Sequence, residues 1–179
     1  MENEAASAGG WELERQDVLT RAGRSRQALV DAVSRLSADA FLREPRPQWG
    51  AARILRHVVW VEHFWTLLLR EVRQSDEQTV DVTAGNLRGE RAGEASRLAG
   101  TPPEPLPEPP PFAAKDEALD ALAASRAEYE RAVSSLRPED LQRRLSHPER
   151  GVMPLRFAVE HVIEHDWDHA VQIASLPSH

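Results

Sequence analysis

The chain of 179 residues contains no cysteine. It therefore has no disulfide framework, no thiolate ligand for a metal and no cysteine nucleophile. Any nucleophilic sulfur in a reaction of this protein must come from another molecule. Apolar residues make up 41% of the chain, enough for a packed core at this length, so we expect a single domain over residues 1–179.

The chain also lacks an excess of positive charge, because its formal net charge is -7 at pH 7. The arginines are scattered among acidic residues and form no basic stripe, which argues against a nucleic-acid partner. No run approaches the roughly 18 uninterrupted apolar residues of a membrane span, and the opening residues lack the pattern of a signal peptide. We therefore expect a cytoplasmic protein that binds neither nucleic acid nor membrane.

Long runs that alternate apolar and polar residues are missing, so the sequence predicts no confident strand. Apolar residues instead recur at steps of three, four or seven, the spacing of one helix face, in four segments: about 11–36, 48–74, 116–136 and 155–175. Residues 75–114 contain "TPPEPLPEPPPF" and predict a long extended connection, with a short helical piece around 85–99. We predict an all-α fold, an up-down four-helix bundle with one long crossover connection.

The last predicted helix carries three histidines at a spacing of four: His161, His165 and His169. Its inward stripe passes through positions 165 and 169, where leucines would be expected. Two histidines one turn apart can bind the same ion, whereas residues eight apart are separated by about 12 Å of helix rise. At most two of the three can share a metal, as the pair 161/165 or the pair 165/169, and the stripe favours the second.

The second predicted helix offers a further ligand. His57 interrupts an apolar stripe and should point toward the core, whereas His63 falls off that stripe and is predicted at the surface or rim. Three neutral imidazoles without a thiolate would leave coordination positions open to water or substrate, as in a catalytic site. The alternative is a structural bundle in which the histidines are hydrogen-bonded core residues.

Three stretches carry a resemblance to a known family: "QWGAARILRHVVWVE", "HPERGVMPLRFAV" and "HVIEHDWDHAVQI". They resemble segments of the DinB-like (DinB/YfiT-like) four-helix-bundle metalloproteins. The resemblance implies that His57, His165 and His169 hold a divalent metal ion, with zinc or nickel expected first. The residues expected to support the ligands or to wall a pocket beside them are His161, Trp60, Trp167 and Asp168, with Asp166 and Glu164 as further candidate acceptors.

The resemblance also implies a reaction class. Characterised relatives use the metal to activate a low-molecular-weight thiol, mycothiol or bacillithiol, for transfer to a small electrophile or for isomerisation. Arginine far outnumbers lysine, which occurs only at position 115; this suggests a high-GC bacterial genome and so favours mycothiol. The alternatives are a metal-dependent hydrolase and a non-catalytic metal- or ligand-binding bundle for stress response. A homodimer is a further expectation.

Overall fold

The computed structural model describes residues 2–45, 47–81, 110–147 and 151–177, and these form five α-helices. The helices are α1 (Glu2–Ser34), α2 (Ala38–Leu42), α3 (Ala51–Gln74), α4 (Lys115–Ser135) and α5 (Leu155–Ala174). The predicted all-α bundle is confirmed, although α1 begins well before the expected start. The helical piece predicted around 85–99 lies outside the described residues. Among the described helices, none is long and apolar enough to cross a membrane.

Helices α3 and α4 run in the same direction, as two pairs of side chains show. Near their starts Arg56 lies 3.7 Å from Glu117, and near their ends Arg70 lies 3.2 Å from Glu128. Consecutive parallel helices require the chain to travel back along the bundle before the second one begins. The connection between α3 and α4 is therefore a crossover, as the sequence predicted.

A small sheet closes the end of the bundle where α3 and α4 end. It consists of β1 (Thr79–Asp81), β2 (Arg144–His147) and β3 (Gly151–Pro154), with β1 parallel and β3 antiparallel to β2. Strands of three or four residues are too short for alternation to show in a sequence, so they were not predicted. Gly151 adopts a φ of 71°, the left-handed conformation that glycine tolerates best.

The turn before α3 depends on a close backbone approach. A Cβ atom at Gly50 would lie 2.1 Å from the carbonyl oxygen of Arg43, so no larger residue fits without moving that backbone. The preceding short helix α2 is capped by Ser37, whose hydroxyl oxygen accepts a hydrogen bond from the Ala40 N–H. This turn brings Trp49 to the start of α3, about two helical turns before His57.

The bundle core consists of two apolar clusters. One adjoins the sheet and contains Trp65 and Tyr129; the other lies near α2 and contains Leu29 and Ile54. Between them every long helix places a buried charged residue, and these four form what we call the polar layer: Arg26, Glu62, Arg126 and Asp166. The apolar stripe of each helix is therefore interrupted at the same level of the bundle.

Candidate metal centre

Three histidines from two antiparallel helices converge beside the polar layer. The Nε2 atom of His165 lies 3.2 Å from Nε2 of His57 and 3.1 Å from Nε2 of His169. All three rings are half-buried, and each offers a nitrogen within 4.8 Å of the others. The structure thus brings together the three residues that the resemblance implied, and this group could hold a metal ion.

The spacing of the nitrogens agrees with the size of a common metal. Two nitrogens that each lie about 2.0–2.1 Å from one tetrahedral zinc are about 3.3–3.4 Å apart. The two measured separations, 3.1 and 3.2 Å, are close to this value. Three imidazole nitrogens also form a donor set that suits zinc, nickel, copper and iron. The residues present therefore fit a divalent first-row metal.

The protonation of the rings favours a metal too. Burial, together with the neighbouring His169, His57 and His161, lowers the pKa of His165 to about 3. Burial also lowers the pKa of His169, against the opposing effects of Gln172 and Asp168. Both rings are therefore neutral at neutral pH, the state in which imidazole binds metals. A cation shared by the facing nitrogens of His57, His165 and His169 would bind through their lone pairs.

A hydrogen bond from Gln172 orients one of the rings. The amide Oε1 of Gln172 lies 2.7 Å from Nδ1 of His169, so Nδ1–H donates and Nε2 keeps its lone pair toward the centre. The partner of a metal-binding imidazole is often a carboxylate, as expected here of Asp168, Asp166 or Glu164, whereas the structure places an amide in this role. Gln172 lies in the stretch "HVIEHDWDHAVQI" but was not predicted as a site residue, although its position one turn after His169 is a signal for this contact.

Aromatic rings surround His57, the ligand that α3 contributes to the centre. The ring of His57 contacts Trp49 edge-on at 5.3 Å and stacks with Trp60 at 6.5 Å between centroids. Trp60 therefore lies beside His57. Trp49 was not predicted as a site residue, although it precedes the helix that carries His57.

His161 lies one turn before His165 with its ring centroid 5.6 Å away. It stacks on Phe157 at 5.3 Å with an interplanar angle of 15° and meets the edge of Trp65. Of the roles left open for this residue, lining the space next to the ligands agrees with these contacts.

Other predicted residues lie away from the centre. Trp167 is 46% exposed, and Asp168 and Glu164 are also exposed on the outer face of α5. Helix positions that are two residues apart in sequence are separated by about 200° around the helix axis, which places position 167 opposite both 165 and 169. Trp167 does not wall the centre, and Asp168 acts on His169 only through its charge. His63 is exposed, as predicted.

Directly behind His165, the polar layer joins all four long helices by ion pairs. Arg26 on α1 lies 2.7 Å from Glu62 on α3 and 3.1 Å from Asp166 on α5. Arg126 on α4 lies 3.0 Å from Glu62 and also binds Asp166. The hydroxyl of Ser125 donates to Glu62 as well. Two positive and two negative charges thus balance in a site that solvent hardly reaches.

Burial dominates the electrostatics of this layer. It raises the pKa of Asp166 to about 6, although Arg26 and Arg126 oppose the shift, and it lowers the pKa of Arg26. Asp166 was considered only as a residue beside the metal, and the layer as a whole was not predicted. The available signal was a charged residue on the apolar stripe of each long helix. This residue is an arginine on α1 and α4 and an acidic residue on α3 and α5.

The comparisons with known proteins agree with this architecture. A family model described as the DinB superfamily matches residues 12–173, which is most of the chain. The comparison with curated proteins found no match, and neither did the comparison with solved structures. The matched region contains α3, α4, most of α1 and α5 and the three converging histidines, and the chain belongs to the DinB superfamily.

Proposed function

We propose that the protein is a divalent-metal-dependent enzyme that uses a low-molecular-weight thiol, of the mycothiol or bacillithiol type, as an S-transferase or isomerase for small electrophiles. The observation that carries the proposal is the convergence of three imidazole nitrogens from His57, His165 and His169 in a half-buried position. Zinc or nickel is the metal expected there. When bound, such an ion supplies Lewis acidity, which lowers the pKa of a thiol or water in a remaining coordination position.

The protein's own residues would orient and shelter the reaction. Gln172 holds His169 in the tautomer that presents Nε2, and the rings of Trp49 and Trp60 hold His57. Because the described part of the chain brings three protein ligands together, positions would remain for exogenous molecules. The absence of cysteine from the chain means that the attacking sulfur must belong to a cosubstrate.

A turnover assay with a fluorogenic haloalkyl electrophile tests this proposal. In the transfer, the thiol loses its proton to solvent, a carbon–sulfur bond forms, and the halide leaves with the electron pair of its bond to carbon. We expect turnover with mycothiol or bacillithiol and zinc- or nickel-loaded protein, well above the rate without protein. His57→Ala and His165→Ala should abolish it, whereas His63→Ala, an exposed histidine on the same helix as His57, should not.

Metal content separates the proposal from its alternatives. Elemental analysis should find about one equivalent of metal per chain in the wild type and in His63→Ala, and none in His57→Ala. Bound metal without thiol-dependent turnover of any electrophile would leave a metal-dependent hydrolase or a non-catalytic metal-binding bundle, which turnover without thiol would separate. Failure to bind zinc or nickel at all would overturn the proposed mechanism and leave the histidines as packing residues.

A further inference from the structure

Six rings on α3 and α5 form a closed circuit next to the metal centre. Each ring contacts the next, and the last contacts the first, in the order His57, Trp60, Phe64, Trp65, His161 and His165. The distances between successive centroids run from 5.0 to 6.5 Å. We call these six residues the ring wall. Two of its members, His57 and His165, belong to the metal centre itself.

The ring wall is partly exposed to solvent. Five of its members are half-buried, whereas Trp65 is only 4% exposed and forms the floor. Phe157 extends the surface, since it stacks on His161 and meets the edge of Trp65 at 5.9 Å. Half-exposed aromatic side chains gathered next to a reactive centre are typical of small-molecule sites, which are mostly apolar with a few polar groups.

The chemistry of the wall indicates what it binds. None of its six members is an acidic residue, a lysine or an arginine. The nearby carboxylate of Glu160 is occupied by Arg21, at 2.6 and 2.8 Å, and the charges of the polar layer neutralise one another. Aromatic faces and edges prefer other aromatic rings, in offset-stacked or edge-on contact, over saturated groups of the same size.

We infer that the ring wall binds the planar aromatic or conjugated part of the electrophile and holds it beside the metal centre. This inference rests on the proposed function, because it names the class of electrophile for the same site. A molecule lying against Trp60 and His161 is next to His57 and His165, so its reactive carbon comes within reach of a sulfur held at the centre. Saturated aliphatic electrophiles of equal size would gain less from the same surface.

Indole N–H signals in a nitrogen–proton correlation spectrum provide a direct test. The chain has five tryptophans, and each gives one signal. Trp60 and Trp65 belong to the ring wall, whereas Trp11 donates its N–H to the Leu136 carbonyl at the far end of α1 and Trp167 is on the outer face of α5. The probes are benzyl alcohol and cyclohexylmethanol, which differ in the planarity of the ring, and methyl glucoside, which represents the sugar of a thiol cosubstrate.

We expect benzyl alcohol to shift the Trp60 and Trp65 signals but not those of Trp11 and Trp167, and to bind roughly five- to tenfold more tightly than cyclohexylmethanol. Trp60→Leu should weaken benzyl alcohol binding by a similar factor, read from Trp65. The matched variant Trp167→Leu should leave it unchanged, and an unshifted Trp11 signal reports that each variant is folded.

Equal affinity for the two alcohols, tighter binding of methyl glucoside, or shifts at Trp11 and Trp167 would each overturn the inference. The titration needs neither metal nor thiol. Selective aromatic binding by a protein that holds no metal would therefore refute the proposed function and keep the ring wall. Metal-dependent thiol transfer without aromatic selectivity would instead support the proposed function and refute the inference about the ring wall.

Discussion

The Nε2 atoms of His57 and His165 lie 3.2 Å apart, although 108 positions separate the two residues in the chain. This contact exists only when α3 and α5 pack in antiparallel register, since each helix alone positions its histidine relative to its own axis. A metal ion shared by these residues would bind the folded bundle and not the unfolded chain. Metal binding and folding are therefore linked.

We expect zinc to stabilise the protein. At a free zinc concentration one hundred times the dissociation constant, the free energy of unfolding should rise by about 2.7 kcal/mol. Thermal denaturation followed by circular dichroism, with and without zinc, measures this effect. The increase should vanish in His57→Ala and persist in His63→Ala. A similar increase in all three proteins would mean that zinc binds elsewhere.

Replacing Gln172 should weaken metal binding without removing the site. In Gln172→Leu, the Nδ1–H of His169 loses its acceptor and the ring is free to turn or change tautomer. Loss of such a partner typically lowers metal affinity about 10- to 100-fold. Competition with a chromophoric chelator gives the dissociation constant of zinc in the wild type and the variant.

Gln172→Glu is the matched variant, because a carboxylate oxygen can accept the same hydrogen bond. We expect it to retain the wild-type affinity or exceed it, since a charged acceptor strengthens the bond. If Gln172→Leu and Gln172→Glu bind zinc equally well, the orientation of His169 does not depend on this contact.

Periodicity predicted the four long helices because each buries one continuous face, and the break at "TPPEPLPEPPPF" indicated the crossover. The short strands escaped prediction for the opposite reason. Their pairing depends on contacts between segments far apart in the chain, such as Val80 with Leu145, which no local pattern encodes. That the chain is one domain and that it dimerises stay predictions.

At the site, helical spacing predicted that His165 shares its centre with one neighbouring histidine, the inward stripe favoured His169 as that neighbour, and the family resemblance implied the same pair together with His57. The sequence did not predict the polar layer, because a charged residue on a helix is usually solvated. Arg126 and Asp166 are buried only because partners of opposite sign arrive from other helices. Such a match between helices is visible once the bundle is assembled.

Breaking the polar layer should destabilise the bundle strongly. Arg126→Met leaves two buried carboxylates facing the single guanidinium of Arg26, and removal of one partner from a buried ion pair typically costs about 3–5 kcal/mol. Chemical denaturation measures the free energy of unfolding. Arg131→Met, an exposed arginine on the same helix, should change it by less than about 0.5 kcal/mol.

The double variant Arg126→Met/Asp166→Leu removes one charge of each sign. Arg26 and Glu62 then remain as a balanced pair at 2.7 Å, so the double variant should be more stable than Arg126→Met alone. If the losses of stability in Arg126→Met and Asp166→Leu instead add up in the double variant, the two residues act independently.

Tyr129 should link the stability of the fold to high pH. It is the single tyrosine of the chain, its side chain is fully buried, and its hydroxyl donates to the Val159 carbonyl at 2.7 Å. Burial raises the pKa of this hydroxyl well above its usual value. The native state therefore keeps the proton at a pH where the unfolded chain releases it, which begins at about pH 10. Because the unfolded state binds fewer protons there, stability falls as the pH rises above that value.

Tyrosinate absorbance and helical circular dichroism, recorded together during an alkaline titration, test this linkage. With a single tyrosine the absorbance has one source, so it should rise only as the helical signal is lost. Tyr129→Phe cannot ionise and should unfold at a higher pH, although loss of the hydrogen bond lowers its stability at neutral pH by about 1 kcal/mol. Ionisation near pH 10 with the helices intact would show instead that solvent reaches the hydroxyl between α4 and α5, and that the packing of Tyr129 against α5 is looser than its burial indicates.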